Sequence, residues 1–118
     1  MRINLVRVAL LALALGCGGS ADRAAPLRVE RAASAGGTTL LLVAAPGFRI
    51  NARVKPALEL SEGGVLRFDS PDLTADSAYY TRPPTAVVPR ATRSVAGTLR
   101  ASVCAEHELV CRSVTLEL

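Results

Sequence analysis

The chain is poor in aromatic residues and in histidine, and these shortages limit what it can be. It has two tyrosines, two phenylalanines, no tryptophan and one histidine among 118 residues. A buried core must therefore be aliphatic, and a histidine-based zinc site has too few ligands. Lys55 is the one lysine, and no basic stripe is interleaved with aromatic residues. Nucleic-acid binding therefore has no support in the sequence.

Long apolar runs are also missing, except near the amino terminus. Arg2 and Arg7 precede the apolar stretch Val8–Leu15, which is the pattern of an export signal. The stretch is too short to span a bilayer. The run from Ala14 to Cys17 resembles the bacterial lipobox, in which the cysteine is acylated and the preceding signal is removed. An ordinary secretory signal with an incidental Cys17 is the alternative, and either interpretation predicts export.

We therefore predict a lipoprotein signal peptide over residues 1–16 and an acylated Cys17 with a flexible tether over residues 17–26. Loss of the two signal arginines lowers the formal net charge by two, from +4 to +2. The expected location is the bacterial cell envelope, lipid-anchored and facing the periplasm. Gly18 follows the cysteine, which resembles sorting to the outer membrane. No later segment is apolar over a membrane-spanning length.

Residues 27–118 predict a single all-β domain, an immunoglobulin-like antiparallel β-sandwich. Seven or so short strands, separated by glycine and proline turn signals, are typical of that fold. The segment Asp69–Pro84 is polar and proline-bounded, and it is predicted to be an extended surface loop. The strands are expected at Leu27–Ala33, Thr38–Ala45, Ala57–Ser61, Val65–Phe68, Thr85–Val88, Ser94–Cys104 and Glu108–Leu118.

The last two predicted strands carry Cys104 and Cys111 on the same face of one hairpin. If these cysteines pair, the apolar residues of the two strands oppose each other and so do the polar ones, with Leu99 opposite Leu116. Opposed residues of an antiparallel pair lie at a separation that a disulfide bridges readily. The sulfurs are expected on the polar face, within reach of another molecule. Two exported cysteines usually form a disulfide.

Such a pair supplies an attacking thiolate and a resolving thiol, so exchange chemistry needs no cofactor. The nearby charges are mixed, because Arg112 and a protonated His107 favour a thiolate whereas Glu106 and Glu108 oppose it. The residues themselves do not decide which cysteine attacks. His107 is better explained as a solvated loop residue than as an acid–base catalyst.

Two stretches of the chain resemble the amino-terminal periplasmic domain of the thiol:disulfide interchange protein DsbD. They are Gly47–Asn51, read as Gly-Phe-Arg-Ile-Asn, and Gly97–Cys111 with its cysteines. The resemblance implies an immunoglobulin-like fold with a redox-active cysteine pair. The chain departs from the family at Arg49, where histidine is usual, and at Arg112, where the first of two prolines is usual. Six residues separate the cysteines, which is one or two more than is common.

The resemblance also implies roles for particular residues and partners. The pair would exchange electrons with thioredoxin-fold proteins or a membrane thiol reductase, with Cys111 as the partner-facing nucleophile. Tyr79 and Tyr80 would belong to a cap loop over the cysteines, although they could equally pack the base of that loop. Two alternatives remain open: a lipoprotein binding or assembly module whose disulfide is purely structural, and a degenerate relative that has kept only the fold.

Overall fold

A computed structural model describes residues 25–118, which form eight β-strands and no helix. The predicted signal peptide, Cys17 and most of the tether lie outside the described residues. No helix in the described part is long and apolar enough to cross a membrane. The strands are β1 (Leu27–Ser34), β2 (Gly37–Ala44), β3 (Phe48–Ile50), β4 (Ala57–Leu60), β5 (Val65–Arg67), β6 (Thr85–Pro89), β7 (Gly97–Ala105) and β8 (Cys111–Glu117).

The strands form two antiparallel sheets that pack against each other as a sandwich. One sheet has the order β1-β2-β6, and the other is built around β7, which pairs with β8 along one edge. Along its other edge β7 pairs first with β4 and then with β3, and β5 lies beyond β4. The all-β antiparallel sandwich predicted from the sequence is thus confirmed.

The core lies between the sheets and is mainly aliphatic, as the shortage of aromatic residues predicts. Alternate positions of β7 are buried because successive residues of a strand point to opposite faces. The aromatic exceptions are Phe68, which follows β5 and is fully buried, and Tyr80. Leu116 on the edge strand β8 is only half-buried, whereas five leucines are buried in the core: Leu40, Leu42, Leu58, Leu60 and Leu99.

Two local features differ from the sequence prediction. Phe48–Ile50 forms a strand, although its neighbouring glycine and proline indicated only a turn. The segment Asp69–Pro84 is a folded excursion, in which Leu73 and Tyr80 form a bridge and the Thr74 amide donates to the Tyr79 carbonyl over 2.9 Å. These backbone bonds hold the excursion in a small hairpin, which the polar composition alone did not reveal.

Candidate functional site: a disulfide on the outer face of the β7–β8 hairpin

Cys104 at the end of β7 and Cys111 at the start of β8 form a disulfide, and their Cα atoms are 4.0 Å apart. The pairing register is the one that the sequence predicts, with Leu99 opposite Leu116 and Ala101 opposite Val114. A shift of one residue would turn the apolar side chains of β8 to the outer face, so the hydrophobic pattern excludes it, and the pairing of the two cysteines selects among the remaining registers.

The disulfide occupies a position of the ladder where no backbone hydrogen bond joins the paired residues. Gly97 and Leu118 exchange both of their backbone bonds, and the Ala105 amide donates to the Val110 carbonyl. Bonded pairs alternate with non-bonded ones along antiparallel strands, so the Cys104–Cys111 pair is non-bonded. Side chains approach most closely at such pairs, which explains why the two thiols meet.

The two sulfur-bearing residues differ in exposure. Cys104 is 1% exposed, whereas Cys111 is exposed. The sequence predicts that both sulfurs are within reach, because Cys104 shares its face with the polar residues of β7. That expectation is wrong for Cys104, since other parts of the chain cover this end of the outer face.

The neighbour of Cys104 on the side away from β8 is Arg49, its partner in the β3–β7 register. Paired residues of adjacent strands project to the same face, so this side chain rises from the sheet next to the buried cysteine. Arg49 is half-buried, and its Nε atom is buried with no hydrogen-bond partner among residues 25–118. The guanidinium carbon lies 3.8 Å from the centre of the Tyr79 ring.

The folded excursion brings Tyr79 to this position by extending the sheet beyond β3. Asn51 and Tyr79 form an antiparallel bridge, and backbone bonds from Ala52 to Ala78 and from Tyr80 to Ile50 flank it. The side-chain amide nitrogen of Asn51 also donates to the Ser102 hydroxyl over 3.3 Å. Tyr79, Asn51 and Ser102 therefore share the outer face with the disulfide.

Tyr80 points the other way, because it is the next residue in an extended segment. Its ring is 9% exposed and belongs to the core. Its hydroxyl donates to Asp69 Oδ1 over 3.4 Å, and Lys55 Nζ lies 2.7 Å from the other oxygen of that carboxylate. The structure thus places only one of the two predicted cap tyrosines on the face that carries the cysteines.

The charged residues singled out in the sequence lie elsewhere. Arg112 pairs with Val103, so it projects toward the inner face, and its guanidinium carbon lies 5.5 Å from the centre of the Phe48 ring. His107 is exposed in the hairpin tip. The cation beside Cys104 is instead Arg49, which sequence reasoning noticed only as a departure from the family pattern. No signal in the sequence identifies it, because its pairing with Cys104 depends on the three-residue strand β3.

Three pKa values shift in and near the excursion. Burial, followed by the charge of Asp69, raises the pKa of Tyr80 to about 12. The hydrogen bond from Lys55 lowers the pKa of Asp69 below its ordinary value. The hydrogen bond from the Thr74 hydroxyl similarly lowers the pKa of Asp76. The shifted groups form hydrogen bonds that support the excursion, away from the cysteines.

The hairpin tip beside the disulfide is unusually apolar for an exposed turn. Leu109 is fully exposed and Val110 is 63% exposed. A concavity of about 360 Å³ adjoins the tip, lined by Phe48, Val103, Ala105, Glu108, Val110 and Arg112. Within residues 25–118 no group of three or more His, Cys, Asp or Glu side chains could hold a metal ion.

Comparisons with known proteins add no relative to this description. No protein-family model, curated protein or solved structure matches the chain. The similarity to the interchange domain therefore stays a prediction that rests on the two sequence stretches and is not tested by these comparisons.

Proposed function

We propose that the Cys104–Cys111 pair is a thiol:disulfide exchange site that passes electrons to or from thioredoxin-fold proteins outside the cytoplasm. The observation that carries this proposal is the uneven exposure of the pair, with Cys111 exposed and Cys104 at 1%. A partner thiolate is therefore expected to attack the sulfur of Cys111, because the rest of the chain covers Cys104. The buried sulfur is then the leaving group, so each cysteine has a distinct role.

Reduction of the disulfide proceeds in two balanced steps. A thiolate of a partner dithiol attacks Cys111 Sγ, which forms an intermolecular disulfide and releases Cys104 as a thiolate with the bonding electron pair. The second partner thiolate attacks the partner's own sulfur in that mixed disulfide and releases Cys111. The partner leaves oxidised, and the domain holds two thiols. The reverse sequence reduces a partner disulfide, with Cys111 attacking and Cys104 resolving.

The apolar tip supports a protein partner in place of a small thiol. Leu109 and Val110 are exposed within two residues of Cys111, and exposed apolar groups that flank a reactive atom are typical of protein contact surfaces. Seven pairs of opposed residues also align β7 with β8, so the two strands stay paired when the disulfide opens. Reduction without unfolding is therefore expected.

The proposal includes attachment to a bacterial membrane through acylated Cys17, as the lipobox-like run Ala14–Cys17 predicts. Mass spectrometry of the mature amino terminus tests this part separately. An acylated Cys17 as the first residue is expected, and Cys17→Ser should move the protein out of the membrane fraction. An unmodified amino terminus downstream of Cys17 would contradict it.

A second candidate function is a lipoprotein binding or assembly module in which the disulfide only stabilises the fold. The burial of Cys104 favours it, because inert structural cysteines are commonly buried. Closing a loop of about eight residues contributes roughly 2.5 kcal/mol by chain entropy, which is useful to a small domain.

The matched single variants Cys104→Ser and Cys111→Ser distinguish the two candidates. Cys104→Ser leaves the exposed Cys111 and should form a mixed disulfide with an oxidised thioredoxin-fold protein, since no internal thiol resolves the adduct. Cys111→Ser leaves the buried thiol and should react far more slowly. The reduction potential gives an independent answer. A potential below about −300 mV with no adduct from either variant would identify a structural disulfide.

A further inference from the structure

Arg49 is an unusual arginine, because one of its donors is buried in the disulfide form without a hydrogen-bond partner among residues 25–118. Its Nε–H is buried and has no acceptor, and within residues 25–118 no carboxylate forms an ion pair with its guanidinium. A buried donor that is left without a partner costs free energy, more so when it is charged. Such a group at a defined place in the fold calls for an explanation.

The position of Arg49 supplies an explanation for this unpartnered donor. Arg49 is opposite Cys104 in the β3–β7 register and on the same face, where paired Cβ atoms lie about 4.5–5.5 Å apart. The stacked ring of Tyr79 holds the guanidinium on this face. Reduction of the disulfide creates a possible anionic acceptor on the residue paired with Arg49, which the oxidised form lacks.

We propose that Arg49 is a positioning residue that stabilises the thiolate of Cys104 when the disulfide is opened. The inference rests on the proposed exchange function for its biological meaning, because Cys104 is the leaving sulfur in that reaction. A leaving thiolate of lower pKa departs faster. The Arg49 guanidinium thus becomes the partner of the negative charge that develops on the Cys104 sulfur during exchange.

The other groups around Cys104 do not supply this charge. Cys111 and Ser113 on β8 are neutral in the oxidised form, as is Tyr79 from the excursion. Glu106 lies exposed in the turn after β7 and its charge opposes a thiolate, while Arg112 projects to the inner face. Arg49 therefore competes with the burial of Cys104 and with Glu106, both of which raise a thiol pKa.

The test is a pH titration of the reduced full-length protein with ¹³Cβ-labelled cysteine, read by the chemical shift of Cys104. In the native protein the pKa of Cys104 should lie below about 8.5, although burial alone would place it higher. Arg49→Gln should raise that pKa by about 1 or more, and Arg49→Lys should restore part of the difference. Arg112→Gln is the matched control, since it removes a cation next to the other cysteine but on the inner face.

Each result decides the proposal. A native Cys104 pKa at or above that of a free thiol overturns it without any variant, so poor folding of Arg49→Gln does not matter. An equal rise in Arg49→Gln and Arg112→Gln also overturns it, because the effect is then only one of net charge. A mixed disulfide from Cys104→Ser together with an Arg49-independent pKa leaves the exchange function standing without this role. A lowered, Arg49-dependent pKa with no adduct has the reverse meaning.

Discussion

The outer face of β7 is covered at one end and open at the other. At the open end Arg100 reaches Glu59 on β4 over 3.3 Å, and both side chains are 64% exposed. At the covered end Ser102 accepts a bond from Asn51, and Cys104 is 1% exposed. The same alternation of side chains along one strand therefore gives two different environments.

The difference comes from a segment distant in the sequence. The excursion between β5 and β6 adds Ala78–Tyr80 beyond β3 and brings the Tyr79 ring over Arg49. Nothing comparable covers the open end within residues 25–118, where the Thr98 hydroxyl donates to Glu117 at the surface. Strand alternation sets the face on which a residue lies, but its burial depends on what the rest of the chain places above that face.

The buried inner face of β7 gives the largest expected loss of unfolding free energy, against which both ends of its outer face can be compared. Leu99 lies on the inner face beside the open end and is 0% exposed. We expect Leu99→Ala to lower the free energy of unfolding by about 4 kcal/mol, because it leaves a cavity in the core between the two sheets. Urea unfolding checks this. A loss below about 1 kcal/mol would show that the sandwich core is not packed around β7.

Much of this arrangement follows from the sequence. The β7–β8 register was predictable, because the period of two on both strands excludes shifts of one residue and the pairing of Cys104 with Cys111 selects one of the remaining alignments. The burial of Cys104 was not, since it depends on β3 and on the excursion. Phe48–Ile50 is three residues long, too short for its alternation to be distinguished from that of a turn.

The tyrosine pair was only partly predictable for the same reason. The resemblance to the interchange domain implies that both residues belong to one cap loop. Adjacent residues of an extended chain project to opposite sides, so a bridge at Asn51 and Tyr79 sends Tyr80 into the core. The sequence contains no signal of that bridge, because the partner strand is short and irregular.

Separating the two tyrosines sharpens the comparison between cover and core. Tyr80→Ala should cost about 3 kcal/mol of unfolding free energy, since its ring is buried in the core. Tyr79→Ala should cost much less, yet speed alkylation of Cys104 in the reduced protein by uncovering Arg49 and this end of the face. Urea unfolding and thiol alkylation rates measure the two effects. Equal alkylation rates in Tyr79→Ala and the native protein would mean that Tyr79 is not a cap.

The support beneath the excursion should be visible as a pH dependence. The pKa of Tyr80 is raised to about 12, so the fold favours the neutral hydroxyl. This contribution to stability is complete below about pH 10, the ordinary tyrosine pKa, and is lost as the pH rises toward 12. Tyr80→Phe has no such proton, so its unfolding free energy should fall less than that of the native protein over this range. Parallel curves would show that Tyr80 is not held in its neutral form.

The smallest effect is expected at the open end. Removing the exposed ion pair with Arg100→Ala should change the free energy of unfolding by less than about 0.5 kcal/mol, because solvent and salt screen exposed charges and ordering two long side chains costs entropy. Glu59→Ala is the matched control and should behave alike. Denaturant unfolding at low and at high salt measures both, and the small difference should vanish at high salt. A large loss that persists at high salt would mean that this end is also covered, and the contrast between the two ends of β7 would fail.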